Sequence, residues 1–226
     1  MADEDDALGG GGMPAPATAA LASEVAHAVN NPLQVLALLS EGRGGDDRDE
    51  EVAGRMRIEV ERVRRVTEIL GRYGHRGEPN PALGPVGALV RDRLAHAGES
   101  GLVEVQGPGE SDPACVFDPR QLSQALDDVI TVLAAHGRRH PVRLRAEVTA
   151  EADQVALTLK ASGVRLSREL QAQLLTQVVW SHEDTRVPYP GLAFARAVCE
   201  AHGGALAVRG IRGGVQVSLR LPSRAG

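Results

Sequence analysis

The sequence predicts an α+β chain: a helical hairpin forming a dimeric four-helix bundle, followed by an α/β sandwich. Three observations predict it. Residues 17–76 carry apolar side chains at spacings of three and four. Residues 82–223 mix helical periods with alternating strands. Between them, His75 to Pro85 is rich in Gly and Pro and reads as a domain boundary.

Residues 1–16 hold an acidic patch, the run Gly9 to Gly12 and two prolines, the composition of a solvated leader. From 17 to 41, Leu21, Val25, Val29, Pro32, Leu36 and Leu39 define one apolar stripe, and Pro32 kinks the helix by removing a backbone hydrogen bond. Gly42 to Asp47 is a turn. A second helix, 48–73, follows a near-heptad of Val52, Met56, Val63, Val66, Leu70 and Tyr73, broken by Glu59. Its other faces interleave Glu and Arg, as a solvated surface does. Two such helices cannot bury their stripes alone, and a homodimeric bundle is the economical solution.

Beyond the boundary, a short helix at 86–97 leads to a strand near 102–106. A helix starts at Pro119 with Asp118 as its N-cap and buries Leu122, Leu126, Val129, Ile130 and Leu133. Strands follow at 142–148 and 155–160, each alternating apolar with polar residues. Helices are expected near 167–178 and 191–202, separated by a polar loop from Trp180 to Pro190. Gly203 and Gly204 stop the last helix. Strands near 205–209 and 214–221 close the chain, giving helices over one face of a mostly antiparallel sheet.

Composition narrows the function. The 226 residues bear a net charge of −5, which argues against nucleic acid as a partner. Cys115 and Cys199 lack CxxC spacing, which fits a reducing cytosol without a disulfide framework or zinc site. His136 and His140 have HxxxH spacing, but their Gly, Arg and Pro neighbours read as a solvated turn. No apolar run reaches the ~18 residues of a membrane span, and the acidic N-terminus does not read as a signal peptide. The expectation is a cytoplasmic protein with no membrane partner.

On the first helix, at about 100° per residue, Glu24, His27, Asn31, Gln34 and Leu38 point away from the apolar stripe. His27 is thus an exposed imidazole, a competent nucleophile when neutral, with the Asn31 carboxamide one turn later. Leu38 is an apolar residue on the same outward face, suited to docking a partner helix or to packing in its own dimer.

The stretch His27-Ala28-Val29-Asn30-Asn31-Pro32-Leu33 resembles the phosphoacceptor box of bacterial sensor histidine kinases, His-Glu-x-x-Asn-Pro-Leu, and the next helix resembles the second half of their dimerisation hairpin. The resemblance implies that His27 takes the phosphoryl group and that Asn31 serves hydrolysis of a response regulator's aspartyl phosphate. The family's acid after the histidine is Ala28 here, which puts kinase activity in doubt while leaving phosphotransfer open.

Residues 82–223 resemble the ATP-binding domain of the same kinases, the Bergerat or GHKL fold, through Asp118 to Leu126, Cys199 to Gly204 and Gly213 to Pro222. The nucleotide contacts do not follow. The magnesium-binding asparagine falls at Val132, which offers no oxygen to a hard cation. A second N-box asparagine falls at Asp128 and the adenine-reading aspartate at Ala161. Of two glycines after it, Gly163 is kept and the other is Arg165. The phosphate loop becomes Pro188-Tyr189-Pro190-Gly191-Leu192, whose prolines lack N–H donors. One lost polar contact costs ~1–3 kcal/mol, so several together remove useful ATP affinity.

The combination resembles the histidine phosphotransferases that relay phosphoryl groups between receiver domains of response regulators. It implies no cofactor of the protein's own, with Mg²⁺ supplied by the partner receiver. Glu24, Asn31 and Gln34 would flank the transfer site and Leu38 would aid docking. Two alternatives stand: a response-regulator phosphatase or sequestering pseudokinase, and a non-catalytic dimeric scaffold. An active ATP-dependent kinase is disfavoured.

Overall fold

The computed structural model describes residues 29–40, 46–74, 78–109, 112–137, 141–177, 179–180 and 188–223. The acidic leader, Glu24 and His27 lie outside them. The chain begins with α1 (29–40) and α2 (Asp46–Gly74). Then come β1 (Ala82–Pro85), α3 (Val86–Glu99), β2 (Val103–Gln106), β3 (Ala114–Phe117) and α4 (Pro119–Ala135). They are followed by β4 (Val142–Ala150), β5 (Gln154–Ser162), α5 (Arg168–Leu174), β6 (Val179–Trp180), β7 (Tyr189–Pro190), α6 (Ala193–Ala201), β8 (Ala205–Ile211) and β9 (Gly214–Pro222).

Five strands form one sheet in the order β2-β4-β5-β9-β8. Only β2 and β4 run parallel; the other neighbours are antiparallel. Alternation explains the register. Val142, Leu144, Ala146 and Val148 of β4 are buried with Val155, Leu157 and Leu159 of β5 and Val215, Val217, Leu219 and Leu221 of β9. The opposite residues form a polar face, with Arg143 on Glu104 at 3.0 Å and Lys160 on Glu147 at 2.7 Å. Against the apolar face lies α4, whose Leu122, Leu126, Val129, Ile130 and Leu133 are all buried as their spacing predicts. Asp118 caps it, its carboxylate accepting from the N–H groups of Arg120 and Gln121.

The structure adds what periodicity did not show. The stretch expected to be only a boundary ends in a strand: β1 pairs antiparallel with β3, Leu83 opposite Val116. Its Gly and Pro hide it because they are turn residues by local propensity. The helix expected to reach 178 stops at Leu174, with Leu175 as its C-cap. On α2, Ile69 is as buried as Val66, although only Val66 lay on the expected stripe. Glu59 interrupts that stripe from within: its side chain is 12% exposed and binds Arg62 at 3.1 Å. The remaining charged face is laced by Arg55–Glu51, Arg64 with Glu61 and Glu68, and Arg65–Glu68.

Gly203 and Gly204 end α6 as expected, for two separate reasons. Gly203 takes φ +72° at the helix end. Gly204 is pressed against β9, where a Cβ would overlap the Arg220 carbonyl. Gly204→Ala is therefore expected to lower unfolding free energy by about 2–3 kcal/mol, measurable by urea denaturation.

Candidate functional site

Helix α1 presents two distinct faces. Val29 packs against the buried pair Val66 and Ile69 of α2, as do Leu70 and, from the start of α6, Ala193. Pro32 is buried, and Leu36 and Leu39 are half-buried on the same side. Asn31, Gln34 and Leu38 are exposed, Leu38 to 69%. The outward set predicted from the helical angle is thus on the surface where it lies among the described residues. Leu33 and Val35 flank it as further exposed apolar side chains. Glu24 and His27 belong to the same expected face but lie outside the described residues.

The positions aligned with nucleotide contacts occupy a different kind of environment. Val132 and Ala161 are each 1% exposed and belong to the apolar core. Asp128 is also buried, while Arg165 is exposed. The segment Pro188 to Leu192 is buried throughout. Its one retained glycine, Gly191, abuts the protein's own backbone, so a Cβ would overlap the Gln177 carbonyl. The next N–H, of Leu192, donates to the Leu174 carbonyl at 2.6 Å. With Pro188 and Pro190 lacking N–H groups, little of this segment's donor capacity is left to face a phosphate.

Tyr189 draws the segment onto α4. Its hydroxyl hydrogen-bonds His136 Nε2 at 2.7 Å, and the two rings meet edge to face with centroids 5.7 Å apart. His136 is the C-cap of α4 and lies half-buried in a turn, as its neighbours suggested, where it anchors the helix end. His140 lies outside the described residues, and among the described residues no three His, Cys, Asp or Glu side chains gather as metal ligands. A cleft of about 780 Å³ opens between α2 and the α/β layer, with Arg65, His96, Ile130, Ala134 and Pro188 among its walls. None of the positions aligned with nucleotide contacts outside the 188–192 segment lines it.

Asp118 is the electrostatic centre that holds these parts together. Its Oδ2 accepts from Asn80 N–H at 2.9 Å, and its Oδ1 accepts from Arg120 and Gln121. Its own N–H donates at 2.9 Å to Nε2 of His202, just past α6. Because Nε2 accepts, the ring proton sits on Nδ1, which donates to the Val198 carbonyl at 2.7 Å. Burial pushes the Asp118 carboxyl upward, but the backbone N–H groups of Asn80, Gln121 and Arg120 outweigh it and hold the group below the usual carboxylate range. Both cysteines are core residues, their thiols pushed up by burial to about 11 for Cys115 and about 12 for Cys199, which makes them poor nucleophiles.

No protein-family model and no curated protein sequence matches the chain. Solved structures do. The chain is similar to the histidine kinase ThkA in its complex with the response regulator TrrA, with a TM-score of 0.71 and 15% identity over 90% of this chain. It spans 61% of that kinase chain's length. The Acinetobacter baumannii histidine kinase AdeS matches 87% of this chain and 98% of its own, with a TM-score of 0.60 and 14% identity. Full-length ShkA, in complex with AMPPNP, matches 93% of this chain and 46% of its own, with a TM-score of 0.59 and 18% identity. The chain therefore has the fold of a histidine-kinase dimerisation hairpin joined to a GHKL catalytic domain. Among the described residues no helix is long and apolar enough to cross a membrane.

The Asp118 node makes a pH-dependent prediction. Its folded-state pKa is depressed, so the stability it contributes is present above the unfolded value of ~3.9 and is lost as pH falls through the folded value. Asp118→Ala is expected to cost about 1–2 kcal/mol at neutral pH. The gap from wild type should shrink in urea titrations taken progressively below pH 4.

Proposed function

We propose that this chain is a histidine phosphotransferase that relays phosphoryl groups between response-regulator receiver domains without binding ATP. The observation that carries the reading is a histidine-kinase fold whose nucleotide-facing positions hold buried apolar side chains, Val132 and Ala161, beside a self-bonded loop. The exposed Asn31, Gln34 and Leu38 supply the second part: an outward α1 surface one to three turns beyond His27. That ThkA was solved in complex with a response regulator supports a receiver as the partner.

In this mechanism the receiver brings its aspartyl phosphate to a neutral His27. The imidazole nitrogen forms a bond to phosphorus as the bond to the carboxylate oxygen breaks. The carboxylate leaves unprotonated, and the second imidazole nitrogen sheds its proton to water. Transfer to a second receiver reverses these steps. The receiver's own Mg²⁺ would neutralise charge on the phosphoryl oxygens. This chain would contribute positioning: His27 as nucleophile, polar neighbours Glu24, Asn31 and Gln34, and an apolar contact at Leu38. Two copies forming a four-helix bundle would cover the apolar side chains that α1 and α2 leave exposed, Leu33, Ile58 and Val60 among them.

The phosphatase reading is favoured by one observation, the exposed position of Asn31 one turn after His27. Asn31→Ala separates the two: it should leave phosphotransfer to His27 within about threefold, a difference under 1 kcal/mol. A phosphatase would lose receiver dephosphorylation instead.

The direct test mixes the purified protein with phosphorylated receiver domains from the same genome. Acid-labile phosphate should appear on the wild type and be absent from His27→Gln. Signalling unchanged by His27→Gln in cells would point to a scaffold. Calorimetry with ATP and Mg²⁺ should show no binding tighter than about 1 mM; micromolar affinity would overturn the ATP-independent part of the reading.

A further inference from the structure

The five-stranded sheet ends in two edges of different character. β2 is only four residues long, and Arg143 of β4 bridges to its Glu104. β8 is seven residues long and pairs with β9 in unbroken register along its whole length. It carries no proline, lysine or bulge, the devices that commonly protect a sheet edge. The direction of its free backbone groups follows from β9. The Gly213 carbonyl accepts from the Gly163 N–H at 2.9 Å, and the Ser223 N–H donates to the Asp153 carbonyl at 3.0 Å, so both face the β5 side. Backbone groups alternate sides along a strand. The even residues of β9, Gln216, Ser218 and Arg220, therefore face β8. Their register partners Arg209, Ala207 and Ala205 turn their own N–H and C=O groups toward β9. Leu206, Val208 and Gly210 direct theirs away from the sheet, and no other element among the described residues bonds to them.

The side chains of β8 say what the edge would accept. Leu206 and Val208 are half-buried on the helix side, at the rim of the core. Arg209 lies on the opposite, polar face, exposed and without an ion pair among the described residues. Neither β8 nor β9 contains an acidic residue, and Glu151 is already on Arg220 at 3.6 Å. We propose that the open edge of β8 is a docking site for an extended, acid-bearing segment of a partner protein, which adds to the sheet beside β8. Main-chain hydrogen bonds to Leu206, Val208 and Gly210 supply affinity, and alternate side chains supply selectivity. Apolar residues opposite Leu206 and Val208 complete their burial, and a carboxylate opposite Arg209 gives its guanidinium a partner. The two demands fall on opposite faces of one incoming strand, as strand alternation requires. A second copy of this chain fits less well. The antiparallel register that pairs all of β8 with itself centres on Val208 and sets the two Arg209 side chains diagonally, about 7–8 Å apart, where like charges repel. The proposal does not depend on the relay reading, since β8 includes neither α1 residues nor any position aligned with a nucleotide contact.

The test adds a synthetic peptide to the isotopically labelled full chain and follows backbone amide exchange. The peptide alternates valine with threonine, carries glutamate at its central position, and is N-methylated along one edge so that it cannot pair with itself. Exchange at Leu206, Val208 and Gly210 should slow about tenfold or more at about 1 mM peptide. Arg209→Glu should abolish that protection, and a peptide with lysine in place of glutamate should restore it. Gly210→Pro removes one outward N–H at a position where a Cβ would meet only the Gln171 side-chain amide at 4.0 Å. It should weaken peptide binding about threefold or more and leave the rest of the amide spectrum in place. No slowing at this peptide concentration would overturn the proposal, as would slowing that survives both Arg209→Glu and Gly210→Pro. Protection that appears without peptide and grows with protein concentration would assign the edge to a second copy and overturn it as well.

Discussion

Three distant parts of the chain meet at one carboxylate. Asp118 caps α4, accepts the N–H of Asn80 from the segment between hairpin and sheet, and through its own N–H grips His202 at the end of α6. Each bond pairs a backbone or ring group with a partner on or beside a buried carboxylate residue. Because α4 and α6 pack on each other, the node ties together the ends of two helices that both bury side chains in the core. A capping residue chosen for local reasons thereby becomes a tertiary tie.

The segment preceding α6 shows how packing and ligand binding compete for the same atoms. A loop that holds phosphate must keep its N–H groups unengaged and its backbone open. Here Leu192 spends its N–H on Leu174, Gly191 lies flat against Gln177, and Tyr189 is tied to His136. Ala193, the next residue, packs against Val66 and Ile69 of α2, the same pair that Val29 covers. The segment thus acts as a buried support between the hairpin and the α/β layer. Val132 and Ala161 follow the same logic, since each adds apolar area to a close-packed core where a polar reader would need a partner.

Parts of the candidate site were readable in advance and parts were not. Asn31, Gln34 and Leu38 could be placed on the outward face because a helix repeats at a fixed angle, so one apolar stripe defines its opposite. The apolar character of Val132 and Ala161 and the prolines of the 188–192 segment were visible as residue chemistry alone. The His136–Tyr189 pair was not, because 53 positions separate its members and nothing local to either points to the other. The burial of Ile69 was hidden for a similar reason: a neighbour that covers it, Ala193, arrives from another element.

What the sequence determined by itself is everything governed by local period and local chemistry. That includes the main helices and strands with their inward faces, the Asp118 cap, the Gly203 stop and the apolar side chains at Val132 and Ala161. Tertiary structure decided the rest: the pairing of β1 with β3, the early end of α5 and the sealing of the loop before α6. The physical reason is range. A helix turn or a strand alternation is encoded within a few residues, whereas these features depend on the close approach of chain segments that no local pattern specifies.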